Sequence, residues 1–446
     1  MIITNVRIIT WEENNRFLEG QSVRIDQDRI ADIGKEQVIR NKYPNDEILD
    51  GQGQILMPGL ICAHTHFYGT FSRGLYIPGE APADFPEILK KLWWPLDQSL
   101  SQEDIKVSAQ ICLIDAIKHG TTSLFDHHAS PEFITGSLDL IEEAFVETGL
   151  RGVVCYEVTD RGGKEKAIEG IEENLRMISK LDNEKGLVKA TFGMHASLTL
   201  SDETLNLCSK KIPQNTGIHI HVAEHQVDEY DSISKSGERV VNRLNKYGFL
   251  SSQSILVHGV HLDIQEINLI AKTNTWLTHQ PRSNMNNAVG LGDVEEMLNA
   301  GVKVCLGNDG FSNAMWEEWK TCYLAHKLWA RDPRKMNGNN LVKMAVYNNS
   351  DLVTQFFNGS RIGRIEIGAK ADLILVDYEP VTEFNVDNIP WQILFGFRDS
   401  MVTTTMVDGK ILMKDRKILS IDEKKVAQDA RDLSKETWKR YSSKFH

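Results

Sequence analysis

Pro58-Gly-Leu-Ile-Cys-Ala-His-Thr-His66 ends an apolar run with two histidines one residue apart. Alternate side chains of a strand share one face, and their Cα atoms lie ~6.6 Å apart. The imidazoles of His64 and His66 can therefore converge on one metal ion at the end of a strand. Taken alone, such a pair is more often two ordinary polar residues, so the interpretation depends on what the rest of the chain supplies.

Other short apolar runs end in residues of the same kind. His219, His221 and Glu224 lie at the end of one run, His258 ends another, and Asp309 follows a third. Four such sites in series favour a metal site over coincidence. His219 and His221 share one face of a strand, so spacing alone does not decide between them.

The middle of the chain alternates apolar, β-branched runs with helical stretches, which is the pattern of parallel βα units. Eight runs are predicted as strands: residues 59 to 66, 122 to 128, 151 to 158, 187 to 195, 217 to 223, 254 to 262, 275 to 279 and 302 to 307. Eight such units indicate an α/β fold, the (β/α)8 TIM barrel, in which active sites lie at the carboxyl ends of the strands. Thirteen of the 14 histidines lie between positions 64 and 326, and most are expected at that face.

Both ends of the chain are rich in short strands separated by turns. Because such strands are unstable alone, residues 1–56 and 366–420 are predicted to form one small β-sandwich domain. The barrel is assigned to residues 57–365. Residues 421–446 are predicted as a C-terminal helix that packs on the barrel, starting at the capping-box pattern Ser420-Ile-Asp-Glu.

Composition limits the classes of function. With 41% hydrophobic and 25% charged residues the chain is typical of a globular protein, and its net charge of -12 argues against a nucleic-acid or membrane surface. We expect no secretory signal and no membrane span, and hence a cytoplasmic location. Six cysteines without a Cys-x-x-Cys pattern indicate reduced thiols, so a metal would be held by histidine and carboxylate.

Three further stretches carry a resemblance to a known family. They are Asp126-His-His-Ala-Ser-Pro131, Arg282-Ser-Asn-Met-Asn-Asn287 and Asp309-Gly310. Together with the histidine pairs, they resemble the amidohydrolase superfamily, and within it the aminohydrolase branch of guanine, S-adenosylhomocysteine and chlorinated-triazine hydrolases. The sequences of these three stretches are most similar to those of the SsnA-type aminohydrolases. The likeness covers essentially the whole chain.

The resemblance implies a metal centre with four ligands. These are His64, His66, His221 and Asp309, and the family pattern His-x-x-Glu selects His221 over His219. They would bind one divalent ion, zinc, with iron as the alternative. Binuclear relatives carry a bridging lysine or glutamate at the end of strand four, whereas this run ends in neutral His195, so one metal ion is predicted.

The resemblance also implies the catalytic roles. Glu224 would protonate a ring nitrogen, His258 would orient the attacking hydroxide, and Asp309 would carry a proton to the leaving group. The ordinary alternative for Glu224 is a solvated loop carboxylate, and Asp309 in Asn-Asp-Gly could be a plain turn. His127, His128, His225 and His261 have weaker claims and are predicted to be surrounding or surface residues.

Substrate contacts are harder to assign. His195 and Asp97 are candidates by the same resemblance, and so is Ser312, with Asn313 as its alternative. The neighbouring tryptophans at positions 93 and 94 can stack on a planar heterocycle, although aromatic pairs more often serve in packing.

The predicted function is that of a metal-dependent hydrolytic deaminase. Its substrate would be an amino-substituted nitrogen heterocycle such as a purine, pteridine or pyrimidine, with release of ammonia. The alternatives are a cyclic-amide or halide hydrolase on the same fold and a non-enzymatic scaffold. The expected partner is the small-molecule substrate, and the resemblance is compatible with a homodimer.

Overall fold

The first five strands of the chain belong to one sheet. In the computed structural model, which describes residues 1–182 and 186–445, they are β1 (Ile2–Ile9), β2 (Phe17–Asp26), β3 (Arg29–Lys35), β4 (Ile48–Asp50) and β5 (Ile55–Pro58). Strand β1 pairs antiparallel with β2 and parallel with β4 and β5. Helix α1 (Glu36–Lys42) lies between β3 and β4.

The strands that follow are parallel. They are β6 (Leu60–Thr65), β7 (Thr121–His128), β8 (Arg151–Tyr156), β9 (Val188–Ala190), β10 (Phe192–Ala196), β11 (Ile218–Val222), β12 (Ile255–His258), β13 (Trp276–His279) and β14 (Lys303–Leu306). They form two sheets with the orders β6-β7-β8-β9 and β10-β11-β12-β13-β14. Only Thr191 separates β9 from β10, so these two strands fill the fourth predicted run. The predicted α/β class with parallel strands is confirmed.

One predicted strand is too long. The run over residues 254 to 262 stops being extended at His258, whose φ of 71° lies in the left-handed region. A residue in that region cannot continue a strand, because it turns the backbone away from the sheet. The chain therefore turns at His258, which the sequence predicts to be a catalytic residue.

Backbone hydrogen bonds connect the two parallel sheets at both of their edges. Beyond β8, the amide of Val158 donates to the carbonyl of Gly193 (3.3 Å), and the amide of His195 donates to the carbonyl of Val158 (3.0 Å). Beyond β14, the amide of Asn308 donates to the carbonyl of His64 (3.0 Å). The carboxyl ends of β6 and β14 are thus neighbours, although these strands stand in different sheets.

Helices occupy most of the connections. They are α2 (Phe85–Ile88), α3 (Trp94–Asp97), α4 (Gln102–His119), α5 (Ser137–Thr148), α6 (Lys164–Leu181), α7 (Asp202–Lys211), α8 (Gln226–Ser236), α9 (Val240–Lys246), α10 (Ile264–Lys272), α11 (Pro281–Asn286), α12 (Val294–Asn299), α13 (Met315–Ala330), α14 (Gly338–Val342), α15 (Asn349–Phe356), α16 (Ile389–Gly396) and α17 (Glu423–Ser442). Two π-helical segments, Leu89–Trp93 and Lys343–Asn348, join α2 to α3 and α14 to α15. In the described part of the chain, no helix combines the length and the apolar character that crossing a membrane requires.

Helix α4 illustrates how local sequence sets the bounds of these helices. The Ser101 hydroxyl accepts the amide N–H of Asp104, and the Asp104 carboxylate accepts the amide N–H of Ser101, which forms a capping box. The helix ends at Gly120, whose φ of 76° is accessible to glycine at little cost. The residues at its two ends thus set where α4 begins and stops.

The C-terminal helix α17 starts later than predicted. Its N-cap is Asp422, whose carboxylate accepts the amide N–H groups of Lys424 and Lys425 (3.1 Å each), so the capping box at Ser420 is wrong. Aspartate is as good an N-cap as serine, and the choice between them depends on where the helix docks. The Thr437 hydroxyl donates to Asp104 (2.8 Å), which fixes α17 against α4.

The last strands return to the sheet of the first five. They are β15 (Leu373–Val376), β16 (Val402–Val407), β17 (Lys410–Lys414) and β18 (Lys417–Ile418). Strand β15 pairs antiparallel with β5, and the order of the sheet is β18-β17-β16-β15-β5-β1-β2-β3, with β4 on β1. An apolar core of its own joins both chain ends, with Ile3, Val23, Leu373 and Met406 among its members.

A buried arginine ties the parallel sheet to this terminal sheet. Arg151 begins β8 and is 1% exposed. Its guanidinium donates to both carboxylate oxygens of Asp372, at 2.8 and 3.1 Å, and also to Asp408. A bidentate pair satisfies a buried charge that would otherwise be costly, so this contact fixes the position of β8 relative to β15.

Candidate metal centre and catalytic cavity

The carboxyl ends of β6, β11 and β14 bring three histidines and one carboxylate together. His64 Nε2 lies 3.0 Å from Asp309 Oδ1, and His66 Nε2 lies 3.1 Å from the same oxygen. His66 Nε2 also lies 3.1 Å from His221 Nε2. The four predicted metal ligands therefore lie together where these three strands end.

The hydrogen bonds of these histidines leave their Nε2 atoms as acceptors. The Nδ1–H of His66 donates to the carbonyl of His127 (2.6 Å), and the Nδ1–H of His221 donates to the carbonyl of His195 (2.8 Å). In a neutral ring the other nitrogen then carries a lone pair. Two lone pairs facing each other at 3.1 Å repel, and a cation between them removes the repulsion. The donor set thus fits a divalent metal ion.

His258 is close to the same point. Its Nε2 lies 3.3 Å from Glu224 Oε2 and 3.8 Å from Asp309 Oδ2, and it has no hydrogen-bond partner among the described residues. His64, His221, His258 and Asp309 form a group whose ligand atoms all lie within 4.8 Å of one another. The cluster therefore holds one residue more than the four predicted ligands.

The geometry separates His221 from His219, which spacing could not do. His219 Nε2 lies 3.0 Å from His64 Nδ1, the nitrogen of His64 that faces away from Asp309. His219 is 1% exposed and lies outside the cavity lining. It can orient His64 but does not reach the point where the other rings meet.

The backbone turns sharply at three of the strand ends. Ala223, His258 and Asp309 have φ values of 50°, 71° and 55°, a region that costs a residue with a side chain about 1–3 kcal/mol. Close approach also restricts Gly307, where an added Cβ would lie 2.7 Å from the backbone N and O of His64. This contact places Asp309, two residues later, beside His64 of β6 and His66, which follows that strand.

Electrostatics distinguish the charged groups of this cluster. Burial opposes charge at Asp309, but His258, His64 and His66 together hold its pKa well below the usual range. Burial likewise disfavours protonation of His66, yet the Asp309 carboxylate raises its pKa to about 9, so a metal ion would have to displace a proton from His66 Nε2. At Glu224, burial and the neighbouring charge of Asp309 raise the pKa to about 7. Asp309 is therefore suited to be an anion, and Glu224 to carry a proton near neutral pH.

Helix α11 supports three of these side chains. The Ser283 hydroxyl donates to Asp309 Oδ2 (2.6 Å), Asn284 Oδ1 accepts from the Nδ1–H of His258 (2.9 Å), and Asn287 Nδ2 donates to Glu224 Oε1 (3.3 Å). The three residues belong to the stretch Arg282-Ser-Asn-Met-Asn-Asn287. This stretch therefore holds Asp309, His258 and Glu224 in position beside the predicted metal ligands.

A cavity of about 780 Å³, including its open mouth, lies over the cluster. This volume is ample for a heterocycle or a nucleoside. Aromatic side chains form part of its wall, and five carboxylates line it. The aromatic residues are Tyr68, Phe85, Trp93 and Trp94, and the carboxylates are Asp97, Glu157, Glu224, Asp228 and Asp309.

Two of the three predicted substrate contacts line this cavity. The His195 Nδ1 lies 2.7 Å from the Thr199 hydroxyl, and Asp97 Oδ2 accepts from Arg161 Nη2 (2.7 Å). Burial raises the pKa of Asp97 to about 6, although Arg161 opposes this shift. Ser312 is not in the lining, because its hydroxyl accepts from the Arg282 guanidinium (3.1 Å) instead.

Glu157 was missed by the sequence reasoning. It directly follows β8, is 2% exposed, and its Oε1 lies 3.0 Å from His127 Nδ1. His127, predicted as a surrounding or surface residue, is fully buried, and with His66, Glu157 and His221 it forms a second group within 4.8 Å. The signal was available, because Glu157 is the first charged residue after a parallel strand, at the end where sites form.

A third group of ligand-type residues lies away from the cavity. His279 and His326 have Nε2 atoms 3.0 Å apart, and Cys322 lies one helical turn before His326 on α13. None of the three lines the cavity.

Comparison with known proteins agrees with the geometry. A profile of the amidohydrolase family matches residues 55–412. The chain belongs to the amidohydrolase family. It is 29% identical over 449 residues to the 5'-deoxyadenosine deaminase of Methanosarcina mazei, covering 99% of each chain. It is 31% identical over 392 residues to the 5-methylthioadenosine/S-adenosylhomocysteine deaminase of Haloarcula marismortui, covering 86% of this chain and 87% of that one.

A solved structure shares the fold over nearly the whole length. It is an adenosine deaminase from Xanthomonas campestris with bound zinc, 22% identical, with a TM-score of 0.85 and 98% of each chain covered. These relatives place the chain in the aminohydrolase branch of the amidohydrolase family, as its motifs predicted.

Proposed function

We propose that this chain is a metal-dependent hydrolytic deaminase of an amino-substituted nitrogen heterocycle. The observation that carries the proposal is the cluster at the cavity floor, where histidines and Asp309 converge beside Glu224, a carboxyl with a raised pKa. The relatives named as deaminases of adenosine derivatives support it. An aminated purine nucleoside is therefore the first substrate class to test, before pteridines and pyrimidines.

One divalent ion would be held by His64, His66, His221 and Asp309. Three imidazoles and a carboxylate suit zinc, with iron as the alternative, and the zinc of the Xanthomonas campestris enzyme supports the first. When bound, the ion supplies Lewis acidity and lowers the pKa of water, which makes water a nucleophile near neutral pH.

The chain's own groups would manage the protons. Asp309 accepts the proton that water loses when its oxygen attacks the ring carbon bearing the amino group. Glu224, protonated near neutral pH, donates to the adjacent ring nitrogen. His258, held by Asn284, directs its Nε2 toward the oxygen that bonds to carbon. The proton on Asp309 then passes to the amino nitrogen, the carbon–nitrogen bond breaks, and ammonia leaves. The proton of the new hydroxyl passes to Glu224 as the carbonyl forms, which restores both carboxyl groups to their starting states.

His195 and Asp97 are the proposed substrate contacts, with Trp93 and Trp94 as the aromatic wall. Ser312 is left out of this set because it does not reach the cavity.

The finer architecture is also a proposal. The nine parallel strands, with β9 and β10 together taking the fourth position, would close into a (β/α)8 barrel over residues 57–365, which the hydrogen bonds between both sheet edges support. The terminal sheet of residues 1–56 and 366–420 would bend into a β-sandwich around its own core. The homodimer, the cytoplasmic location and the SsnA-type likeness stay predictions.

The test is an ammonia-release screen with protein loaded with one equivalent of zinc. The panel holds aminated purines and their nucleosides, pteridines, pyrimidines and triazines, beside a cyclic amide and a chlorinated triazine. We expect ammonia from at least one aminated member, and loss of the activity after chelation. Hydrolysis of the cyclic amide or release of chloride without ammonia would favour the alternative hydrolases. Inertness toward the whole panel, in protein that retains no metal, would favour a scaffold.

A further inference from the structure

Two hydrogen-bond acceptors face each other in the cavity wall beside the metal cluster. Glu157 Oε2 lies 3.9 Å from His195 Nε2, and both residues line the cavity. Among the described residues, neither atom has a hydrogen-bond partner, because each side chain uses its other polar atom for that purpose.

The tautomer of His195 follows from Thr199. The Thr199 hydroxyl donates to the carbonyl of Ala196 (3.1 Å), so it accepts from the Nδ1–H of His195 (2.7 Å). A neutral imidazole carries only one N–H. The Nε2 of His195 is therefore a lone-pair acceptor directed at the cavity.

The state of Glu157 follows from His127 in the same way. The Nε2–H of His127 donates to the carbonyl of His219 (3.0 Å), so one proton is shared between its Nδ1 and Glu157 Oε1, 3.0 Å apart. Whether that proton resides on the imidazole or on the carboxyl, Oε2 keeps its lone pairs. Glu157 Oε2 is an acceptor in both cases.

The position of this pair differs from that of the reacting groups. Strand β11, with His221, lies between β10, which carries His195, and β12, which carries His258. Glu224 and His258 are thus on one side of His221, and Glu157 and His195 on the other. No lysine or arginine occurs among the described residues that line the cavity, so nothing in the wall favours an anionic group there.

We propose that Glu157 and His195 form a subsite for a second amino group of the substrate, separate from the amino group that leaves as ammonia. One amino nitrogen can reach two acceptors 3.9 Å apart at ordinary hydrogen-bond distances. The proposal rests on the proposed function and narrows it to neutral or cationic diamino heterocycles. A substrate without the second amino group leaves two buried acceptors unpaired and binds less well.

The experiment compares 2,6-diaminopurine riboside with adenosine, which lacks the 2-amino group. The measured quantity is the ratio of kcat/KM for the two substrates with zinc-loaded protein. We expect a ratio of at least about 10 in the wild type, the scale for an unpaired buried acceptor. Glu157→Gln keeps a carbonyl oxygen for the cavity and should retain the preference. Glu157→Met has no acceptor and should bring the ratio close to unity.

His225→Asn is the matched control, because His225 also lines the cavity but its Nδ1 accepts the amide N–H of Val227 (3.2 Å) at the start of α8, a capping role that asparagine can keep. Its ratio should equal that of the wild type. If Glu157→Met loses metal or fails to fold, Thr199→Val tests the His195 half of the pair. It removes the hydroxyl that accepts the Nδ1–H of His195, so the ring hydrogen can move to Nε2 and the ratio should also fall. A wild-type ratio near unity, or a ratio unchanged in Glu157→Met or in Thr199→Val, would overturn the subsite.

Failure of the deaminase proposal gives a different result. If neither riboside releases ammonia, calorimetric binding of the same pair to zinc-loaded protein takes the place of turnover. Tighter binding of the diamino compound by the wild type and Glu157→Gln, but not by Glu157→Met, would support the subsite in a protein that is not a deaminase. Equal affinities would overturn it.

Discussion

His66 Nε2 and His221 Nε2 lie 3.1 Å apart, while the Nδ1–H of each ring donates to a backbone carbonyl. The two carbonyls fix which nitrogen of each ring carries hydrogen, so the lone pairs of two strands point at the same place. With Asp309 Oδ1 3.1 Å from His66 Nε2, the neutral rings and the carboxylate direct lone-pair and negative density at one point, which either a metal ion or the proton of His66 can occupy. A divalent cation is a partner that this arrangement fits.

The first prediction concerns metal stoichiometry. The chain should bind about one equivalent of zinc, as expected for three histidines and one carboxylate. His221→Ala should lose it, whereas His127→Asn and His326→Asn, which alter the other two groups of ligand-type residues, should keep it. Elemental analysis of purified protein gives the measurement. Two equivalents in the wild type, or loss of the ion in His326→Asn, would contradict the assignment.

The second prediction concerns Asn284 as a positioning residue. Removing its carbonyl in Asn284→Ala frees His258 Nδ1, whose ring can then rotate. We expect kcat to fall about 10-fold with KM and metal content nearly unchanged, and Asn284→Asp, which keeps an acceptor, to recover most of the loss. Steady-state kinetics with both variants decide it. An effect confined to KM would indicate that Asn284 binds substrate instead.

The third prediction concerns pH and the buried Asp126. Burial raises the pKa of its carboxyl from 3.8 to about 7, and its Oδ2 has no partner among the described residues. Between these values the folded chain binds more protons at this site than the unfolded chain, so stability falls as pH rises from about 4 to about 7.

Asp126→Asn removes that dependence while keeping an acceptor for the amide of Phe67. Its free energy of unfolding relative to the wild type should rise by up to about 1.4 kcal/mol per pH unit over this window, then level off. Denaturant unfolding at several pH values measures it. A difference that stays constant across the window would refute the raised pKa.

The fourth prediction concerns Arg151, which joins β8 to the terminal sheet. Arg151→Met leaves Asp372 buried without its partner and should lower the free energy of unfolding by about 3–5 kcal/mol. The control is Arg361→Met, since Arg361 forms ion pairs with the partly exposed Asp351 and Glu366 and its loss should cost less than about 1 kcal/mol. Equal losses in the two variants would mean that Arg151 has no special part in joining the sheets.

The features that follow from hydrophobic periodicity, namely the strands and the faces of their side chains, were predicted from the sequence. Strand alternation places His64 and His66 on one face, and the eight apolar runs each contain a strand. Neither periodicity nor spacing could choose between His219 and His221, because that choice depends on the contact of His219 with His64 across two strands. The predicted strand over residues 151 to 158 contains Glu157, whereas β8 ends at Tyr156, so the sequence did not predict a carboxylate at that strand end.

Loop contacts were predicted least well. Ser312 lies three residues after Asp309, but the Arg282 guanidinium holds it outside the cavity through a contact between distant parts of the chain. The start of α17 was misplaced because Ser420 and Asp422 are equally good N-caps by local chemistry. Contacts between distant parts of the chain determine both the position of Ser312 and the start of α17, and the local sequence gives no information about such contacts.

The central claim is that Glu224 carries a proton to the substrate beside a metal ion that it does not bind. The direct measurement is deamination by Glu224→Gln together with the metal content of the same preparation. We predict a metal content equal to that of the wild type and a fall in deamination of at least ~100-fold, the scale for losing a general acid. Loss of metal in proportion to activity, or activity within a few fold of the wild type, would contradict the account.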